Sequence, residues 1–263
     1  MRFIYLVFVF TFVLTLTGCS SKMIEQPSGT VIHEDKERSD LNGELEGFAD
    51  EFEVKELYDP FSSYNRAMTS FNDGAYEYVL KPVAEGYKYV VHVEVRESVR
   101  NFFNNLYFPT RFVNNVLQGK FHNASEETGR FVINTTIGVF GLFDPAKVHF
   151  NIGAHDEDFG QTLGFYGVGS GPHIVLPLFG PSNLRDLLSM YPDVLLSPID
   201  YTERSYWTLS DTWFEYLSIK GLEEVNYISL DMDRYEKMKR DAVDLYPYFR
   251  DVYEQYRKKQ IEE

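Results

Sequence analysis

Residues Phe159 to Leu184 read FGQTLGFYGVGSGPHIVLPLFGPSNL, 26 positions without a charged side chain in a chain where a quarter of all residues are charged. Asp158 precedes the stretch, and Arg185 and Asp186 follow it. Its length and apolarity resemble a membrane span, but six glycines and three prolines forbid the continuous helix that hydrocarbon demands of a spanning segment. It is therefore not a transmembrane helix. Either it is a loop buried under other elements, or it is an apolar surface that works against lipid.

Working outward, the segments on both sides carry apolar residues at helical spacing. Asp59-Pro60 predicts a capped helix start, followed by Phe61, Tyr64, Met68, Phe71, Ala75, Tyr78 and Val79, and Pro82 ends or bends that helix. A second helix carries Val95, Val99, Phe102, Phe103 and Leu106. A third begins at Pro109 and stops at Gly119, and Asn123 is expected to cap a fourth. That fourth helix runs into Ile137-Gly-Val-Phe-Gly-Leu-Phe143, a second uncharged stretch, which Gly138 and Gly141 weaken as helix. Two physical readings fit these seven residues, a hairpin dipping into an interface or a close helix–helix contact, and alone they favour the contact.

Beyond the central stretch, Ser182 or Asn183 can cap a helix bearing Leu184, Leu187 and Leu188. Further helical patterns cover Tyr206 to Lys220, ending at Gly221, then Glu223 to Asp241, and the residues after Pro247. The one strand candidate is His173 to Leu176, which Pro177 restricts to an edge. The fold class is mainly α.

The N-terminus has a minimal basic start at Arg2 and an apolar run from Phe3 to Leu16 that is too short to span, so residues 1–18 read as a secretion signal. It ends Leu16-Thr17-Gly18-Cys19, which resembles a bacterial lipobox, and Cys19 is the single cysteine of the chain. Lipidation at Cys19 is expected, with Ser20 in place of an inner-membrane retention aspartate and hence an outer-membrane anchor on the periplasmic side. Residues 19–55 are polar and acidic and read as a tether. Residues 56–225 form the helical domain, and 226–263 supply C-terminal helices and a charged tail.

The net charge is −15, or −16 once Arg2 is removed with the signal, which excludes nucleic acid and polybasic attraction to anionic lipid. No catalytic constellation is visible. Gly167-Val-Gly-Ser-Gly171 has neither the lysine of a phosphate-binding P-loop nor the spacing of a dinucleotide fingerprint, and Ser170 lacks a nucleophile-elbow context. No histidines take metal-ligand spacing. The chain is read as a non-enzyme without metal or cofactor, and its 22 Phe and 19 Tyr suit a membrane interface.

An ordered series of short motifs then suggests a family. DPFSSYNR (Asp59–Arg66), Phe71-Asn72, Lys81-Pro-Val-Ala84, NFFNNL (Asn101–Leu106), VNNVLQG (Val113–Gly119), RFVINTTIG (Arg130–Gly138), GLFDPA (Gly141–Ala146), DFGQTLG (Asp158–Gly164) and GVGSGP (Gly167–Pro172) up to Arg185-Asp186 together resemble the MlaA (VacJ) outer-membrane lipoproteins. The resemblance covers roughly Tyr58 to Tyr206. It implies a single helical ring-like domain lying in the inner leaflet of the outer membrane beside a trimeric porin. Mislocalised phospholipid would leave the outer leaflet through an amphipathic passage and pass to the periplasmic carrier MlaC. On that resemblance Phe71 and Asn72 influence opening, Gly138 and Gly141 are flex points of a mobile hairpin, and Asn65 and Arg66 serve either the channel or the fold. Two alternatives remain: a non-conducting lipoprotein scaffold that binds a porin or the cell wall, and a lipid hydrolase using Ser170 and His173.

Overall fold

The computed structural model describes residues 59–199, 209–210 and 212–263. The signal peptide, Cys19, the tether and the start of the helix expected from Tyr206 lie outside the described residues.

The first helix, α1 (Ser62–Ala75), runs through a π-helical turn (Tyr76–Leu80) into α2 (Lys81–Val90). The expected interruption at Pro82 takes this form. Proline lacks the N–H that would bond four residues back and its ring crowds that carbonyl, and the wider turn just before it absorbs the misfit without ending the helix. Asp59 does not cap α1. Its carboxylate instead accepts hydrogen bonds from Asn65 and from the Tyr246 hydroxyl.

Next come α3 (Val93–Leu106), α4 (Phe108–Leu117) and α5 (Phe121–Thr136). Gly119 terminates α4 at φ 73°, and the Lys120 N–H reaches back to the Asn115 carbonyl, so the left-handed glycine stop is present. Asn123 is not a cap. The helix begins two residues earlier, and the Ala124 N–H bonds the Lys120 carbonyl. Short helices α6 (Pro145–Phe150) and α7 (Phe159–Phe165) follow, capped by Asp144 and Asp158 through their side chains. Strands β1 (His173–Leu176) and β2 (Gly180–Asn183) then pair antiparallel, His173 opposite Asn183 and Leu176 opposite Gly180. The partner strand Gly-Pro-Ser-Asn has no apolar pattern, so nothing in its composition announces it.

The chain closes with α8 (Leu184–Leu196), α9 (Trp213–Leu230), α10 (Met232–Asp241) and α11 (Leu245–Glu262). Asn183 caps α8 by accepting the Asp186 N–H. Gly221 does not end a helix; it sits within α9, where it weakens the helix by about 1 kcal/mol relative to alanine. Pro247 falls in the first turn of α11, which Asp244 caps.

The packing partners trace a closed circuit. α2 lies on α9, α9 on α3, α3 on α4 and α5, α4 on α7, α7 on α11, and α11 on α1 and the hairpin. The only sizeable apolar cluster among the described residues joins Tyr76, Ala84 and Ile228, with Leu80, Val225, Met232 and Tyr235 against it. Elsewhere the usual distribution is reversed. Among the described residues 23 polar or charged side chains are buried against nine apolar ones, while 39 large apolar or aromatic residues lie exposed. A water-soluble fold of this size normally hides its hydrocarbon and exposes its amides. No helix of the described residues is long and apolar enough to cross a membrane.

Candidate functional site

Both uncharged stretches expose large apolar side chains, with Val175 the buried exception, and side-chain amides of neighbouring helices bond their backbones. On α1, Asn65 and Asn72 stand two turns apart on one face and treat the hairpin alike. Asn65 Oδ1 accepts the Val175 N–H (2.8 Å) while its Nδ2 donates to the His173 carbonyl (3.0 Å). Asn72 Oδ1 accepts the Leu178 N–H (2.7 Å) while its Nδ2 donates to the Leu176 carbonyl (2.9 Å). Each amide thus imitates a neighbouring strand, bonding the carbonyl of one residue and the N–H two residues on. Pro177, which has no N–H, falls inside the second grip, between Leu176 and Leu178.

Asn65 is fully buried and also meets the Tyr246 hydroxyl. Phe71 is exposed beside the clamp, as are Leu178 and Phe179 at the hairpin tip. Arg66 points elsewhere, into an exposed ion pair with Asp244 (2.5 Å) and over the Tyr246 ring.

Gly138 and Gly141 belong to a different place, the loop between α5 and α6. Its outer face is apolar: Ile137, Val139, Phe140, Leu142 and Phe143 are all exposed, Phe140 to 72 %. Its backbone is strained, with Val139 (φ 53°) and Phe140 (φ 57°) consecutively left-handed, a conformation that costs a non-glycine residue about 1–2 kcal/mol. Both glycines are sterically required. A Cβ on Gly138 would fall 2.5 Å from the Asn134 and Phe143 carbonyl oxygens, and one on Gly141 (φ 88°) would fall 2.5 Å from Asn105 Cβ.

Next to the loop lies a polar cleft of about 60 Å³ between α3, α4 and α5. From α3, Asn101, Asn104 and Asn105 line it; from α4, Arg111; from α5, Arg130; and Asp156 stands at its rim. The Asn101 amide donates to the Leu142 carbonyl, which ties the loop to α3, and the Asn105 amide donates to Thr135 Oγ1, which ties α3 to α5. Arg111 donates from Nε to buried Glu127 (2.7 Å) and lies 3.7 Å from Asp156. Arg130 bonds Asp144 (2.8 Å) and the Ile152 carbonyl (2.5 Å), and its buried Nε–H has no partner. Burial pushes the Asp144 carboxyl up, but donors from Arg130, Asn134 and the Lys147 N–H outweigh it, so its pKa falls and Asp144 is a fixed anion. The cleft is therefore amide-rich and charged, beside a loop of exposed hydrocarbon.

A second polar system locks the circuit where α7, α8 and α11 meet. Arg257 donates to Asp158 and to Asp186, which also receives Arg185 and Tyr253. Asp186 is held down to about 2 because these donors outweigh its burial. Asp193 accepts the Phe159 N–H and the Asn114 amide, yet burial, and then the nearby Asp158 charge, push it up to about 6.

Sequence reasoning passed over Arg257, which lies in a tail that matched no motif, and gave no role to the α3 asparagines or Arg130. One signal was available: Asn101, Asn104 and Asn105 put poor helix formers on one face at i, i+3 and i+4, a pattern that needs a reason.

The profile of the family described as MlaA lipoprotein matches residues 57–260. A Haemophilus influenzae protein named intermembrane phospholipid transport system lipoprotein MlaA is 30% identical over 205 residues, spanning 77% of this chain and 79% of that protein. The Escherichia coli K12 protein of the same name is 37% identical over 131 residues, 49% of this chain and 52% of its own. An uncharacterised Rickettsia bellii protein is 34% identical over 212 residues, 79% of this chain and 78% of that one. A solved structure from work on the structural basis for maintenance of bacterial outer membrane lipid asymmetry superposes with a TM-score of 0.64 at 29% identity, covering 78% of this chain and all of that one.

Proposed function

The chain belongs to the MlaA lipoprotein family, and from that premise we propose that it removes mislocalised phospholipid from the outer leaflet of a bacterial outer membrane. It works from the periplasmic side, anchored by acyl chains on Cys19 and seated beside a trimeric porin. The lipid descends an amphipathic passage and is handed to the periplasmic carrier MlaC. No bond is made or broken.

The observation that carries this reading is the polar cleft beside a strained loop whose outer face is hydrocarbon. A phospholipid offers the same two chemistries, a charged headgroup and apolar chains, and a path for it must present both at once. The exposed apolar residues elsewhere on the described surface suit a protein surrounded by acyl chains. Gly138 and Gly141 allow the loop to change shape. Phe71 and Asn72 act at the hairpin, Asn72 by holding the tip that carries Leu178 and Phe179.

The test is the phospholipid content of the outer leaflet in cells lacking the protein, complemented by wild type or by Gly141→Lys, which forces a side chain into Asn105. Accumulation rescued by wild type and not by a membrane-inserted Gly141→Lys supports the path. Undisturbed asymmetry in the deletion strain, with no redundant system present, would leave a non-conducting scaffold as the better account.

A further inference from the structure

The cleft beside the loop holds an unusual balance of charge. Two cations line it, Arg111 and Arg130, and both already face carboxylates, Glu127 and Asp144. Asp156 adds a third carboxylate at the rim, its side chain 76% exposed and its one ion-pair partner 3.7 Å away. Counting Glu127 behind Arg111, the site sums to −1, so a purely anionic ligand gains little from it. Two unspent features remain: the exposed Asn104 amide and the solvated Asp156 carboxylate. One is an unmet donor and the other an unmet anion, in one cleft too small for an acyl chain.

We infer that this cleft is a headgroup site for zwitterionic phospholipid, with the phosphate at the Arg130 and α3-asparagine side and the ammonium at Asp156. The inference rests on the lipid-transport reading above and deepens it. The phosphate oxygens accept from the amides of Asn101 and Asn104, in the company of the Arg111 and Arg130 guanidinium groups. The ammonium, a few ångströms away in the same headgroup, compensates the one carboxylate that Arg111 reaches only loosely. The acyl chains stay outside, across the exposed Ile137, Phe140 and Phe143 of the neighbouring loop, so hydrocarbon never enters the polar space. Selectivity follows from charge: phosphatidylethanolamine neutralises Asp156, whereas phosphatidylglycerol places a net anion beside it.

The full chain, purified in detergent, is offered an equimolar mixture of phosphatidylethanolamine, phosphatidylglycerol and diacylglycerol with identical chains, and retained lipid is read by native mass spectrometry. Wild type retains phosphatidylethanolamine over phosphatidylglycerol by about threefold, the scale of a solvated ion pair, and both over diacylglycerol. Asp156→Asn abolishes the preference by raising retention of phosphatidylglycerol; the side chain is exposed, so the fold is not at stake. Asn104→Asp, also at an exposed position, weakens retention of both phospholipids and leaves diacylglycerol unchanged.

Equal retention of the two phospholipids by wild type, or an unaltered preference in Asp156→Asn, overturns the headgroup site and leaves lipid transport standing. Displacement by soluble glycerophosphoethanolamine at the concentration of the lipid would make this a phosphoester site without a lipid role. Failure to retain any of the three lipids would remove the transport reading as well.

Discussion

Two uncharged, glycine-bearing stretches look alike in sequence and are built in opposite ways. The hairpin His173–Asn183 is gripped from outside itself: Asn65 and Asn72 satisfy its backbone at four points, and α11 packs on it. The loop Ile137–Phe143 is held largely by its own turns, such as Phe140 N–H to the Thr135 carbonyl and Phe143 N–H to the Gly138 carbonyl, and it carries two left-handed non-glycine residues in a row. Neither stretch is covered by an apolar core. What separates the clamped element from the poised one is where its backbone N–H groups bond: on side-chain amides of a neighbouring helix, or on backbone carbonyls of the preceding helix and of the loop itself.

The comparison breaks most decisively at Asn65. Asn65→Ala orphans the buried Val175 N–H and His173 carbonyl, and is expected to destabilise the folded chain by about 4 kcal/mol in denaturant titration in detergent. A loss under about 1 kcal/mol would mean the hairpin is held by something other than the clamp.

Gly141→Ala comes next, at about 2 kcal/mol, from its left-handed φ and the approach to Asn105. Its effect should stay local, with faster hydrogen exchange at residues 137–143 and unchanged protection at 173–183. Equal loosening of both would show that the two regions are coupled.

The smallest effect sharpens the polar lock beside the hairpin. Asp193 has a folded pKa of about 6 against an ordinary value of 3.8, so its favourable contribution is present below about pH 4 and lost as pH rises through 6. Asp186 has the opposite sign: held at about 2, it stabilises above about pH 4, and that contribution disappears as pH falls through 2. Asp193→Asn should therefore raise stability at pH 7 by about 1 kcal/mol and flatten the melting temperature between pH 4 and 7. A variant less stable than wild type at pH 7 would show that the ionised carboxylate is needed at Phe159.

Helices were legible because their period is local, and so was the halt at Gly119. The π turn before Pro82 could be anticipated only as an end or a bend, since proline states that the ladder fails and the surroundings decide how it recovers. The strand Gly180–Asn183 could not be read, because Gly-Pro-Ser-Asn carries no apolar alternation and is a strand only through its pairing with His173–Leu176. The motif residues Asn65 and Asn72 could be picked out, but their shared clamp depends on a register that only the folded backbone sets. Arg257 was hidden for a simpler reason: one arginine in a charged tail looks like solvation until Asp158 and Asp186 come to meet it.

The inverted interior has a thermal consequence. Heat capacity rises on unfolding because hydrocarbon becomes hydrated, by about 0.45 cal/mol/K per Å², and newly wetted polar surface lowers it by about 0.26. A fold whose buried side chains are chiefly amides, carboxylates and guanidinium groups, and whose rings already face outward, releases little new hydrocarbon when it opens. Its heat-capacity increment must fall well below the usual figure of about 12–15 cal/mol/K per residue. The curve of stability against temperature is then broad and shallow, and chilling weakens this chain far less than it weakens a protein with an oily core.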